Sequence, residues 1–174
     1  MCTCVKGLSD SNFAGCPITR KSTACTHLMI GRHPLAAASS TQTIISLSSG
    51  ESEFYGAVRA ACRLLGLQSL MRDIGWEADA KLCTDSSAAK GMASRRGAGT
   101  VRHIHCPALW LQQAVSRRRL TIEKAAGATL SADIGTKASI PAPKLWELLN
   151  RFGVYRETSA STARLKVSTK NAES

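Results

Sequence analysis

The chain predicts an α/β domain, a mixed sheet with helices packed on its faces. Three observations carry this. Residues 5–8, 23–30 and 35–38 are short apolar or β-branched runs separated by turn signals, the pattern of an antiparallel meander. From residue 50 onward, apolar residues recur with helical spacing. Two further strand-like runs, 81–84 and 120–123, lie between helical segments. A meander followed by alternating helices and strands places helices against a partly parallel sheet.

Taken in order, residues 5–8 form an apolar segment ending at Ser9-Asp10, and residues 10–15 read as a strand end entering a turn. Pro17 fixes the loop at 16–21. Residues 23–30 read as a strand, Gly31-Arg32-His33-Pro34 as a turn, 35–38 as a second hairpin strand, and 41–47 as a third β-type run. Ser48 followed three residues later by Glu51 has the form of a capping box, so a helix starts near Gly50. Phe54, Ala57, Val58, Ala61, Cys62 and Leu65 give it one packing face; Gly66 is a candidate kink, and the pattern resumes to Ile74. After the strand at 81–84 and Asp85, Ser86 caps a helix over 86–93. Residues 94–102 are a Gly- and Arg-rich loop. Residues 103–117 have helical spacing with Pro107 in the first turn. A strand at 120–123, a small-residue loop at 125–129 and helices at 130–138 and 141–152 complete a domain expected over residues 1–153. Residues 154–174 are Ser-, Thr-, Ala- and Lys-rich, which predicts a disordered basic tail.

Composition narrows the partners. No run of about 18 apolar residues exists, so no membrane-spanning helix is expected. The N-terminus lacks the apolar stretch of a secretory signal. The cysteines number 7, an odd count without paired C-x-x-C spacing, which predicts reduced thiols in an intracellular protein, cytoplasmic or nuclear. The net charge is +11, and no Asp or Glu occurs between Ser11 and Gly50 or between Ser86 and Ile122. A basic surface with few internal anions suits a phosphate backbone, although a solvated charged face has the same composition.

Asp10, Asp85 and Asp133, with Glu51 and Glu53, all fall at predicted strand ends or helix starts. In an open α/β sheet these boundaries converge on one edge, where ligands bind. Acids gathered there repel one another unless cations neutralise them, and hard oxygen donors favour Mg²⁺ or Mn²⁺. Each acid alone also has an ordinary use as a turn, cap or first-turn residue.

The segments around these acids are Ser9-Asp10-Ser11-Asn12-Phe13-Ala14-Gly15, Arg20-Lys21-Ser22-Thr23, Leu47-Ser48-Ser49-Gly50-Glu51-Ser52-Glu53-Phe54, Cys83-Thr84-Asp85-Ser86-Ser87-Ala88-Ala89, Arg102-His103-Ile104 and Ala132-Asp133-Ile134-Gly135-Thr136-Lys137. In this order and spacing the set resembles the ribonuclease H domain at the C-terminus of the copia-type retrotransposon Pol polyprotein, over residues 5–153. The resemblance implies an RNase H-like fold, a five-stranded mixed sheet with its first three strands antiparallel and helices on both faces. It implies hydrolysis of the RNA strand of an RNA–DNA hybrid, leaving 3′-hydroxyl and 5′-phosphate ends. It also implies two Mg²⁺ ions, with Mn²⁺ as a substitute, held by Asp10, Glu53, Asp85 and Asp133. A reverse transcriptase or another Pol-derived chain is an implied partner. The chain begins just before its first strand, so it is expected to be a fragment, a degenerate copy or a detached gene product.

Three positions depart from the family pattern. Phe13 stands where Trp or Tyr is usual, and His105 where an acid is usual. The loop 127–129 lacks the histidine that many cellular ribonucleases H carry before the last aspartate. The four acids favour an enzyme; the loop favours a rival, a nucleic-acid-binding module that keeps the fold without turnover.

The helical wheel puts Glu51 nearer the apolar face than Glu53, and Glu51 has a second use in the capping box. The family motif assigns the ligand to Glu53, just before the aromatic. For the nucleic acid, Ser11, Asn12 and Ser86 are candidate donors beside the acids, with turn and cap roles as alternatives. Arg95, Arg96, Arg102 and His103 are candidate backbone clamps, while His27 and His33 read as structural or exposed.

Overall fold

The computed structural model describes residues 3–155, so most of the tail expected over 154–174 lies outside the described residues. Strands β1 (Thr3–Asn12), β2 (Thr23–Ile30) and β3 (His33–Thr41) form the antiparallel meander. Gly31 turns β2 into β3 with a φ of +58°, a region that costs a side-chain-free residue nothing. Helix α1 (Ser49–Asp73) then crosses to β4 (Ala78–Thr84), which pairs parallel to β1. Helices α2 (Ser87–Ser94) and α3 (Trp110–Ser116) lead to β5 (Thr121–Lys124), parallel to β4. The sheet order is β3-β2-β1-β4-β5, which is the predicted mixed sheet.

Alternation along β1 divides the two faces. Gly7 faces α1, where an added Cβ would sit 3.4 Å from Leu64. Phe54, Leu64, Leu82 and Leu111 are fully buried on this side, each stabilising the fold by about 1.5–3 kcal/mol. The opposite face carries Leu8 and Cys25 under Leu130 and Ala132. Helix α4 (Ala142–Arg151) follows, and beyond it Phe152 stacks on buried His27 with ring centroids 4.0 Å apart. The His27 Nδ1 also bonds Ser131 Oγ at 2.9 Å. Among the described residues six cysteines are free, and no helix is long and apolar enough to cross a membrane.

Five local expectations are corrected. The first strand runs to Asn12, so Asp10 lies within it, opposite Cys25. The third run, 41–47, leaves the sheet after Thr41. Gln42 turns its buried amide inward, donating to Ser11 Oγ at 3.1 Å and the Ser52 carbonyl at 2.8 Å, and Ile45 and Leu47 are exposed. Helix α1 passes Gly66 unbroken, and its Cys62 is exposed. Pro107 opens a 3₁₀ turn, Cys106–Leu109, so the helix expected over 103–117 starts late. The helix expected over 130–138 is only a 3₁₀ turn, Ser131–Gly135. There Ser39 donates to the Gly135 carbonyl at 2.6 Å and Thr136 bonds Asp10, and these ties to the sheet replace further helical bonds.

Candidate active site

The parallel ladder between β1 and β4 ends at the pair Ser9 and Thr84. Asp10 and Asp85 are the next residues on the two segments, which sets two carboxylates side by side just past the end of that ladder. Helix α1 brings the third. Its first turn is fixed by Ser48, whose Oγ accepts the Glu51 N–H at 3.2 Å. Glu53 follows, and at Gly56 the helix comes close to the sheet: an added Cβ would lie 3.4 Å from Ser9 Oγ and 3.5 Å from Ser11 Cβ. One ligand oxygen from each of Asp10, Glu53 and Asp85 lies within 4.8 Å of the others.

The electrostatics of this cluster are unfavourable without a cation. Glu53 Oε1 accepts the Ser11 N–H at 3.2 Å, but Oε2 is buried with no partner. Burial, then the charges of Asp10 and Asp85, push the Glu53 carboxyl up to about 8. Asp10 is also raised, by burial first; the Thr136 hydroxyl works against this, and the nearby Asp133 and Asp85 add to it. A divalent ion would partner the orphaned oxygen and remove the repulsion. An all-carboxylate donor set of this kind fits a hard cation such as Mg²⁺.

Asp133 sits on the 3₁₀ turn, buried, outside the three-acid group. Its charge reaches both Asp10 and Glu53. Its Oδ2 accepts from Lys137 Nζ. Thr136, one residue earlier, donates to Asp10 Oδ2. Neither Thr136 nor Lys137 stands out in the sequence, since each gains its role from a partner that only folding supplies. The one sequence signal was their place three and four residues after Asp133, in the segment 132–137.

Glu51 points elsewhere. It is almost fully buried, and its Oε2 accepts the Leu47 N–H at 2.8 Å and meets His103 Nε2 at 3.0 Å. The capping box is thus half formed: the serine caps Glu51, while the glutamate reaches one residue beyond the serine.

The remaining candidates divide by exposure. Ser11 Oγ is buried against Ser52 Oγ and Gln42. Asn12 accepts the Thr23 N–H at 2.6 Å and donates to the Thr136 carbonyl at 2.9 Å, tying the site strand to the 3₁₀ turn. Ser86 caps α2, accepting the Ala89 N–H at 3.1 Å. Arg95 is half-buried and donates to the Ala98 carbonyl at 2.6 Å, whereas Arg96 and Arg102 are exposed. Gln42, which ties β1 to α1, was not foreseen. The loop before Asp133 also touches the site, because a Cβ on Gly127 would fall 2.8 Å from Asp85 Oδ2.

Solved structures share this arrangement of strands and helices. Ribonuclease H1 from the halophilic archaeon Halobacterium salinarum superposes with a TM-score of 0.54 at 16% identity, covering 76% of this chain and 93% of that one. The fold is that of ribonuclease H. The N-terminal RNase H domain of a Mycobacterium tuberculosis protein matches with a TM-score of 0.53 at 16% identity, over 76% of this chain and 89% of that one. LC11-RNase H1, solved in complex with an RNA/DNA hybrid, matches with 0.53 at 14% identity, over 76% and 93%. No protein-family model matches the chain, and no curated protein matches it in sequence. On the ribonuclease H fold of this chain, the acids of β1, β4 and α1 meet at the edge where parallel strands end.

Proposed function

We propose that this chain is a ribonuclease that hydrolyses the RNA strand of RNA–DNA hybrids with two Mg²⁺ ions, and that it derives from a copia-type retroelement. The observation that carries the proposal is the meeting of Asp10, Glu53 and Asp85 on a ribonuclease H fold, with one glutamate oxygen buried and unpartnered. When bound, such ions supply a water of lowered pKa and stabilise the leaving 3′ oxygen. Asp10, Glu53 and Asp85 would hold them through carboxylate oxygens, with Asp133 as the fourth ligand. Lys137 and Thr136 hold Asp133 and Asp10 in place. Arg96 and Arg102 are free to meet phosphates, with Arg95 and His103 beside them in the same stretch. Ser11, Asn12 and Ser86 brace the strand ends at which the scissile phosphate would sit. Mn²⁺ would serve in place of Mg²⁺, and the setting is intracellular, beside a reverse transcriptase or another Pol-derived chain.

Two observations favour a second function, hybrid binding without turnover: Asp133 already has a cation in Lys137, and the loop 127–129 offers no titratable side chain. The test is a labelled RNA–DNA hybrid incubated with the protein and Mg²⁺, beside single-stranded RNA and duplex DNA. RNA cleavage confined to the hybrid, and abolished by Asp10→Asn or Asp85→Asn, is expected. Binding without cleavage under Mg²⁺ and Mn²⁺ would leave the second function standing, and cleavage surviving both substitutions would overturn the metal mechanism.

A further inference from the structure

The arginine-bearing segment between α2 and α3 has turns but no helix or strand from Arg95 to His105, and it is anchored to the helices at two places. At its start, buried Gln112 of α3 accepts the Gly97 N–H at 2.8 Å and donates to the carbonyls of Met92 and Gly97 at 2.8 and 2.9 Å. At its end, the anchor is helix α1. His103 Nε2 lies 3.0 Å from Glu51 Oε2, buried Ile104 packs into the core, and the His105 N–H donates to the Tyr55 hydroxyl at 3.0 Å. Glu51, Glu53 and Tyr55 are thus alternate residues of the same two turns. One glutamate faces the acid cluster and the other faces the loop.

We infer that Glu51 and His103 form a latch that sets Arg96 and Arg102 at a fixed position relative to the catalytic acids, which makes both of them positioning residues for the hybrid. This rests on the hybrid cleavage proposed above. The physical reason is geometric. A loop without regular structure holds a phosphate-binding side chain in place only as well as its anchors do, and misplacement weakens substrate binding before it touches chemistry. The carboxylate accepts from the Leu47 backbone at the same oxygen, so the latch also ties the entry of α1 to the loop. The imidazole is half exposed and the carboxylate is not, so the histidine is the partner free to swing away.

The test uses the full chain. His103→Ala is expected to raise the KM for an RNA–DNA hybrid about tenfold, the worth of one hydrogen bond to a charged group, with kcat little changed. His103→Gln, which places an amide nitrogen near the lost Nε2, is expected to restore KM. In a double-mutant cycle with Glu51→Ala the two effects on KM should not add. Independently of activity, amide hydrogen exchange over residues 97–106 should speed up in His103→Ala and return towards wild type in His103→Gln. If the wild type cleaves hybrids and the alanine variant loosens the loop without moving KM, the latch has no part in substrate binding. If exchange is unchanged, there is no latch. If the wild type cleaves no hybrid, the proposed function fails and the exchange measurement alone decides whether the latch exists.

Discussion

The acid cluster and the arginine loop meet the same first turns of α1, and they treat the two glutamates there in opposite ways. Glu51, on the loop side, is satisfied by a backbone N–H and an imidazole. Glu53, on the acid side, has one N–H, one orphaned oxygen and two aspartates within reach. Glu51 is almost fully buried and Glu53 Oε2 is buried too, so burial alone does not separate them. What separates them is whether the protein supplies the partner. A buried carboxylate oxygen left without a protein partner calls for a cation or a proton to offset its burial.

The strongest way to break this contrast is to neutralise each acid in turn. Glu53→Gln should remove Mg²⁺-dependent cleavage to below detection, more than the roughly 10–100-fold typical of outer-shell partners, whereas Glu51→Gln should keep most of it. Hybrid cleavage rates at saturating Mg²⁺ check this. Equal losses would erase the distinction.

A second measurement sharpens it through pH. With the Glu53 carboxyl raised to about 8 in the fold, the native state without metal binds more protons than the unfolded chain between pH 4.5 and about 8. Stability in EDTA should therefore fall as pH rises through that window, by on the order of 5 kcal/mol in total. Saturating Mg²⁺ should flatten the slope, and denaturant melts at several pH values read both.

His27 supplies the opposite sign, away from any metal. Burial holds its imidazole down to about 4, so the native state binds fewer protons than the unfolded chain below pH 6.5. Stability should fall by about 3 kcal/mol as pH drops from 6.5 towards 4, with or without Mg²⁺, and His27→Phe should remove that dependence.

The smallest expected effect comes from the loop that touches Asp85. In Gly127→Ala the new methyl group would crowd Asp85 Oδ2 at 2.8 Å. Mg²⁺ affinity should drop about tenfold, with thermal stability nearly unchanged, as titration calorimetry and melting would show.

Much of the fold was legible because it rests on local signals. The periodicity from Phe54 to Leu65 and the Ser48 cap gave α1, and Thr-Asp-Ser after a short apolar run gave the end of β4. Residues 41–47 misled because Thr, Ile and Leu have strand propensity, yet Gln42 is drawn inward by Ser11 and Ser52 from elsewhere in the chain. The turn at Asp133 misled for the same reason, since Asp10, Ser39 and Cys25 shape it across more than 90 residues. The gathering of Asp10, Glu53 and Asp85 could be expected from residue type and position. The polar braces around them, Gln42, Thr136 and Lys137, could not, because a hydrogen-bonding side chain announces nothing until its partner is known.

The hydroxyl of Thr136 reaches back to Asp10 across 126 residues. In kinetic terms that bond closes one of the longest loops in the domain, after β1 has already waited for β4 to arrive beside it. Strand pairing already sets Asp10 beside Asp85, but the turn that carries Asp133 and Thr136 can dock on Asp10 afterwards. If the site takes Mg²⁺ as proposed, a refolding chain should regain its far-ultraviolet circular dichroism before it regains full Mg²⁺ affinity, because the turn carrying Asp133 must still dock.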